Sequence, residues 1–391
     1  MAKENILKSD FIFVCAAQFT ISFVIFILIP TIPIYLLSFH AKEAEIGVLV
    51  GSLSVSSLVL RPFVGRALLK IPERKFMMAG ALFYVIASLA YLWAPPFWPL
   101  LAVRILQGMG LAFFATASFT LVANIVPESH RGQMISYFYL ANNLAFALAP
   151  YFGILIVNQF GFNVVFLVCT ALSLVSLYIS VKLKRVQSLP PENQSIGSQP
   201  FLSREALPPA TMALLVNVIW GGLTAFFPLY AVGHGINPGL FFAVFALMLI
   251  LCRSLGGKIF DLYDRNKLLP PCLIAYVIGM TLLAFSKTLP LFILVAIIWG
   301  IGNAFLYPSL MIYALERAGA TSRGPAMGTF TAVADLGTGI GPMVMGLILQ
   351  LTNYPVMFLC LALTGVTNFL YFHFFLKKKG ADQNAHLRIS L

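Results

Sequence analysis

The sequence predicts an all-α membrane protein, with twelve transmembrane helices in two six-helix bundles related by a pseudo-twofold axis along the membrane normal. Of its 391 residues, 60% are hydrophobic and only 10% are charged, whereas soluble domains carry roughly 25% charged residues. The apolar residues form blocks of about 20, the length that crosses a hydrocarbon core of ~30 Å. Landmarks of the first half also recur in the second half at a constant spacing.

The apolar blocks and the breaks between them locate the spans. The first block follows MAKENILKSD and has no small-residue cleavage site after it, so we expect a retained helix rather than a signal peptide. The predicted spans are 11–36, 46–69, 75–94, 98–123, 131–157, 163–182, 209–232, 239–260, 267–286, 290–314, 324–350 and 355–376.

The basic residues predict the orientation. A net charge of +12 would suggest a nucleic-acid partner if it formed one patch, but it is spread over alternate loops. With the N-terminus inside, Lys42 and Lys287 fall in outer loops, Arg61, Arg104 and Arg253 fall within or at the ends of spans, and every other Lys and Arg is cytoplasmic. The positive-inside rule therefore predicts a multi-pass protein of the cytoplasmic (inner or plasma) membrane with both termini in the cytoplasm, and no nucleic-acid partner.

A polar segment rich in Pro, Ser and Gln divides six spans from six. We expect an N-terminal bundle over 1–182, a flexible cytoplasmic linker over 183–208, a C-terminal bundle over 209–380 and a cytoplasmic tail over 381–391. Parallel six-span repeats predict a midplane site between bundles that is exposed alternately to each side. A shift of 192 residues superposes Arg61 on Arg253, Gly47 on Gly239, Gly65 on Gly257, Gly108 on Gly300, Gly110 on Gly302, Arg131 on Arg323, Gly132 on Gly324 and Pro150 on Pro342.

Three local motifs stand out, and two of them occur once in each half. After spans two and eight come RPFVGRALLKIPERK and RSLGGKIFDLYDR, whose glycines let a turn pass close to a neighbouring helix. Span four contains RILQGMGLAFF, and an arginine inside a span needs a polar partner or a function. Spans five and eleven contain ANNLAFALAPYFG and GTGIGPMVMG, in which small residues allow close packing and Pro150 and Pro342 bend the helices, so packing alone explains most of these two motifs.

These motifs, spread over essentially the whole chain, resemble the major facilitator superfamily and, within it, the drug:proton antiporter branch. The resemblance implies a gate latch in which Asp261 faces the start of span five. Leu69 replaces the acid in the first copy, so we expect one latch rather than two; ordinary positive-inside turns are the alternative. The gate residues are Arg61, Gly65, Arg253, Gly257, Asp261 and Arg131.

The resemblance also ties Arg104, with Gln107, to substrate or proton movement. The alternative is an arginine that binds backbone carbonyls of a neighbouring helix. Asp335 lies about ten residues into span eleven, some 15 Å deep, so burial disfavours its charged form while Arg104 or a cationic solute would favour it. The repeat places Asn143, beside Asn142, at the same depth, and with Asp335 these form the predicted proton-coupling and substrate set. A neutral Asp335 bonded to serines of span two is the alternative.

In the family, spans one, seven and ten surround the cavity. Aromatic and polar residues in these spans would suit an amphipathic organic solute. For any single one, packing or lipid exposure is the alternative reading. The predicted cavity-lining residues are Tyr35, Trp220, Phe226, Phe227, Trp299, Asn303, Tyr307 and Tyr313. His234 and His373 have no second ligand nearby and the five cysteines stand apart, so we expect neither a metal site nor a cofactor.

The sequence lacks HExxH, GxSxG and P-loop motifs, so we expect no enzyme and no catalytic residues, and transport driven by an ion gradient. We predict proton-coupled efflux of a small organic solute by a protein that works as a monomer in the lipid bilayer. The alternatives are proton-coupled uptake of a metabolite, a membrane sensor or scaffold, and export of a metallophore, since GGLTAFFPLYAVGHG and VADLGTG resemble segments of opine-type metallophore exporters.

Overall fold

A computed structural model describes residues 2–95, 97–125, 131–183, 203–255, 265–318 and 323–376. These residues form twelve α-helices and one short π-helix, Phe372–Leu376. The helices are α1 Ala2–Ser38, α2 Glu43–Ala67, α3 Glu73–Ala90, α4 Trp98–Ile125, α5 Arg131–Phe160, α6 Phe162–Lys182, α7 Leu207–Gly233, α8 Pro238–Leu255, α9 Arg265–Phe285, α10 Leu289–Ala318, α11 Arg323–Leu351 and α12 Tyr354–Tyr371.

Each predicted span corresponds to one of these helices, with ends that differ by several residues. Helix α1 begins at Ala2, well before its apolar block. The polar segment that precedes the block is therefore part of the same helix. Ten helices are long and apolar enough to cross a membrane within the described residues. The other two are α8, whose apolar stretch Pro238–Ser254 is shorter, and α3, which begins with the charged residues of its ERK segment.

Local chemistry explains where some helices end. Gly161 separates α5 from α6 with a φ of +81°, a left-handed conformation that glycine adopts without steric cost. At the start of α12 the Asn353 side chain accepts a hydrogen bond from the backbone N–H of Val356, at 3.1 Å. This N-cap satisfies one of the backbone donors that a helix start leaves unpaired.

The two six-helix bundles meet chiefly where α2 packs on α11 and α5 packs on α8, and α1 also contacts α7. Helix α11 lies between α7 of its own bundle and α2 of the other. A Cβ atom on Gly341 would lie 2.5 Å from the carbonyl oxygen of Val218 on α7, whereas one on Gly346 would lie 2.5 Å from that of Glu43 on α2. Glycines on two sides of α11 therefore allow it to approach both neighbours closely.

Close backbone approaches between the bundles occur on one side of the molecule. A Cβ atom on Gly47 of α2 would lie 2.3 Å from the carbonyl oxygen of Pro342 on α11, and one on Gly239 of α8 would lie 2.4 Å from Cα of Tyr151 on α5. Helices α2 and α8 begin on this side and α5 and α11 end there, so the predicted orientation places it outside. We call it the outer side; the backbones of the two bundles are in close contact there.

Candidate functional site

A cavity of about 450 Å³ lies between the bundles and is walled by helices of both. Helices α1, α2, α4 and α5 contribute from the first half, and α7 and α11 from the second. Its lining consists of Ile25, Phe26, Leu28, Ile29, Ile32, Val50, Leu53, Ser54, Ser57, Arg61, Arg104, Leu111, Asn142, Trp220, Thr224, Asp335, Thr338 and Pro342. The volume is that of a small organic molecule site.

An ion pair in the cavity wall joins the two bundles. Nη1 of Arg61 on α2 donates a hydrogen bond to Oδ2 of Asp335 on α11. The two side chains are 33% and 28% exposed, so water and solutes in the cavity reach them. The sequence assigned Arg61 to the gate and suggested Arg104 as the basic residue near Asp335. In the structure the partner of Asp335 is Arg61.

Arg104 is held at the cavity wall by backbone carbonyls of α2. Its Nε donates to the carbonyl of Leu49 at 2.9 Å and its Nη2 to that of Val50 at 3.1 Å. Its Nη1 donates to Oε1 of Gln107 at 2.9 Å, and the same oxygen accepts from the Tyr91 hydroxyl at 2.7 Å. The guanidinium thus binds backbone carbonyls of a neighbouring helix, which is the alternative that the sequence left open. It also lines the cavity.

Of the two adjacent asparagines on α5, Asn142 lines the cavity and Asn143 is half-buried outside that lining. Oδ1 of Asn142 accepts a hydrogen bond from the hydroxyl of Ser22 on α1, at 2.8 Å. The repeat aligns Asn143 with Asp335. The residue of α5 that reaches the same cavity as Asp335 is the neighbouring Asn142.

Among the residues predicted to line the cavity, Trp220 does so. Its ring stacks on that of Trp299 with centroids 5.5 Å apart, and Phe146 of α5 reaches it from the other bundle at 5.7 Å. Trp299, Phe226 and Phe227 are fully buried, and Trp299 supports the wall from behind through its stack on Trp220.

The other predicted residues lie away from this lining. The Tyr35 hydroxyl donates to the carbonyl of Tyr91 at 3.3 Å, and the Asn303 amide donates to the hydroxyl of Tyr276. Tyr307 packs against the ring of Phe330 at 5.6 Å. The Tyr313 hydroxyl accepts from Arg317 at 3.3 Å.

Part of the predicted gate can be located. Arg253 directs its Nε at the carbonyl of Ala304, 3.5 Å away, and a Cβ atom on Gly65 would meet nothing within 4 Å. Gly257, Asp261 and the side chain of Arg131 lie outside the described residues, so the latch remains a prediction. Pro150 and Pro342 lie inside α5 and α11, and the ring of Pro342 also borders the cavity.

Sequence reasoning placed span one at the cavity but named only Tyr35 on it. This helix lines the cavity with five apolar residues, Ile25, Phe26, Leu28, Ile29 and Ile32. It also carries Gln18 and Ser22, whose hydrogen bonds lead to Asn142. Gln18 and Ser22, which lie one turn apart in a largely apolar span, were the available signal. No group of three or more His, Cys, Asp or Glu side chains fit to hold a metal ion occurs within the described part of the chain.

Twelve helices in two bundles around a cavity with charged residues in its wall define a membrane transport protein. The sequence matches the family described as Major Facilitator Superfamily over residues 14–270 and 238–388. The chain therefore belongs to the major facilitator superfamily, and it is a multi-pass membrane transporter of small solutes rather than an enzyme.

Two curated relatives show the range of similar proteins. The "Staphylopine export protein" of Staphylococcus aureus is 24% identical over 334 residues, which cover 82% of this chain and 84% of that protein. "Multidrug resistance protein 2" of Bacillus subtilis is 24% identical over 371 residues, covering 90% of this chain and 92% of that protein.

Solved structures of transporters share the fold. The nucleoside transporter NupG superposes with a TM-score of 0.76 at 13% identity, covering 94% of this chain and 98% of that chain. A POT family transporter in complex with 5-aminolevulinic acid gives a TM-score of 0.78 at 12% identity, covering 94% and 96%. At these identities the likeness concerns the fold alone.

Proposed function

We propose that the protein is a proton-coupled exporter, which moves a small organic solute out across the cytoplasmic membrane by alternating access. The observation that carries this proposal is the ion pair between Arg61 and Asp335, because it joins the two bundles within the wall of the central cavity. An alternating-access transporter needs a contact of this kind, which its cargo can break.

The pair offers a simple exchange of partners. A proton that binds Asp335 removes the charge that holds Arg61, and a cationic solute competes with Arg61 for the same carboxylate. Proton and solute then exclude one another at one site, and such exclusion is the requirement for antiport. Either event loosens the contact between α2 and α11 at Arg61 and Asp335, and the bundles become free to rock.

The apolar walls fit the organic part of such a solute. Phe26 and Trp220 face the cavity from opposite bundles, and the ring of Phe146 contacts both, at 4.9 and 5.7 Å between centroids. Aromatic rings bind apolar surface and also attract cations held over their faces. The similarity to a multidrug resistance protein supports a solute of this type.

Export of a metallophore is the second candidate. Its support is the similarity to the staphylopine export protein and the presence of both Arg61 and Arg104 in the cavity lining, since guanidinium groups bind the carboxylates with which chelators hold metal ions. Proton-coupled uptake of a metabolite would use the same Asp335 with the opposite sign of coupling.

Inverted vesicles that contain wild type or Asp335→Asn test the proposal. We expect amphiphilic cations or a metallophore to release protons from acid-loaded wild-type vesicles, and Asp335→Asn to abolish this release. Glu205→Gln makes the same change at an exposed position outside the helices and should behave as wild type. Solute-dependent proton flux that persists in Asp335→Asn would remove Asp335 from the coupling, and proton uptake together with the solute would indicate symport.

A further inference from the structure

A chain of hydrogen bonds leads from the interior of the first bundle to the cavity. The hydroxyl of Ser118 on α4 lies 3.1 Å from Oε1 of Gln18 on α1, and Nε2 of Gln18 donates to Oγ of Ser22 at 2.9 Å. The hydroxyl of Ser22 donates in turn to Oδ1 of Asn142 at 2.8 Å. Ser118 and Ser22 are fully buried and Gln18 is 9% exposed, so water does not compete for these bonds.

From Gln18 to Asn142 the direction of donation is the same. A serine hydroxyl has one proton, and Ser22 donates it to Oδ1 of Asn142 while its oxygen accepts from Gln18. The amide oxygen of Asn142 is therefore engaged on the side of α1. Asn142 lines the cavity, so the group that it presents there is its NH2, which can only donate.

A second polar group in the lining has no partner. Ser57 on α2 is 1% exposed and faces the cavity, and its Oγ makes no hydrogen bond within the described residues. A buried hydroxyl without a partner loses about 1–3 kcal/mol of solvation. The position of Ser57 in the cavity wall therefore points to a group of the solute as its hydrogen-bond partner. Asp335 supplies the single carboxylate of the lining, whereas Arg61, Arg104 and the Asn142 amide are donors.

We propose that Asn142 is a specificity-determining donor, which binds a carboxylate or carbonyl oxygen of the solute and is oriented by Gln18 and Ser22. The solute class is then a zwitterion or polar amphiphile, with a cationic centre for Asp335 and an acceptor oxygen for Asn142 and Ser57. This inference rests on the proposed function and narrows its substrate class. Gln18 and Ser22 are positioning residues, since they act through Asn142.

Two matched probes test this class. Benzyltrimethylammonium carries an aromatic ring and a cationic centre, and N-benzyl-N,N-dimethylglycine carries both of these and a carboxylate. Equilibrium binding of each radiolabelled probe to purified full-length protein gives two affinities per variant. In Asn142→Asp the donor becomes an acidic acceptor, so we expect affinity for the betaine to fall at least about tenfold, while affinity for the simple cation is kept or raised by the added carboxylate.

Changes in the chain test the positioning. Ser22→Ala should reduce betaine affinity selectively, because it releases the Asn142 amide, and Ser22→Thr should retain it. The matched control is Ser176→Ala, which removes another fully buried serine hydroxyl that contacts α1, at the carbonyl of Ala17, and should change neither affinity.

Two different results would count against the two proposals separately. Equal loss of both probes, or no loss, in Asn142→Asp and Ser22→Ala would overturn the donor role of Asn142 and leave the exporter proposal intact. Failure of the wild type to bind either probe would contradict binding of small amphiphilic cations altogether, and the inference about Asn142 would fall with it.

Discussion

At the scale of single residues, the contact that matters is the one between Arg61 and Asp335, which are 274 positions apart in the chain. Each side chain is about a third exposed, so the pair is worth less than a fully buried one. Each charge nevertheless lies against apolar helix surface in the cavity, and loss of one partner leaves the other without its counter-charge. Removing both charges avoids this cost.

A double-mutant cycle measures the pair. We expect Arg61→Gln and Asp335→Asn each to lower the stability of the purified protein by about 1–2 kcal/mol, discounted from the ~3–5 kcal/mol of a fully buried pair. The double variant should recover part of the loss, with a coupling of at least ~0.5 kcal/mol in thermal unfolding. Arg61→Gln combined with the exposed control Glu205→Gln should be additive, and additivity in the first cycle would argue against the pair.

At the scale of helices, we expect the close backbone contact of α2 with α11 to seal the cavity on the outer side. A side chain at Gly47 would place its Cβ 2.3 Å from the carbonyl oxygen of Pro342. A helix backbone cannot turn aside as a flexible side chain can, so the two helices must separate to admit the new atoms.

We therefore expect Gly47→Val to weaken the seal and expose the cavity to the outer side. The measurement is labelling of a Thr338→Cys reporter by a membrane-impermeant maleimide, in a background without the five free cysteines. Labelling from outside should rise several-fold in Gly47→Val. Gly328→Ala, on α11 where a Cβ would meet nothing within 4 Å, should leave it unchanged; equal labelling in both variants would show that Gly47 has no part in the seal.

At the scale of the whole molecule, orientation in the membrane decides which way the cavity faces. The outer side carries the α1–α2 connection, with the exposed Lys42, whereas the exposed Glu205 lies before α7 on the opposite side. The distribution of basic residues predicts that the second side is cytoplasmic. A seal on the outer side then predicts an inward-facing state.

Cysteine labelling in intact cells checks this orientation. We expect Lys42→Cys to react with an impermeant maleimide in intact cells and Glu205→Cys to react only after permeabilisation, both in the cysteine-free background. The reverse pattern would place both termini outside.

The sequence by itself determined the number of helices, their repeat in two halves and the superfamily. These follow from local properties, because a span is recognised by the length of its apolar block and the repeat by spacing along the chain. It also identified several residues of the cavity wall, namely Asp335, Asn142, Arg104 and Trp220, since a polar or amphipathic side chain in the middle of an apolar span needs a reason to be there.

Only the tertiary structure decided which of these residues meet. The pairing of Asp335 with Arg61, the binding of Arg104 to α2 carbonyls and the route from Gln18 to Asn142 all join different helices. Such contacts depend on the rotation of each helix about its axis and on how closely glycines let neighbours approach. Hydropathy fixes neither quantity, because lipid and protein interior are equally apolar surroundings for most faces of a transmembrane helix.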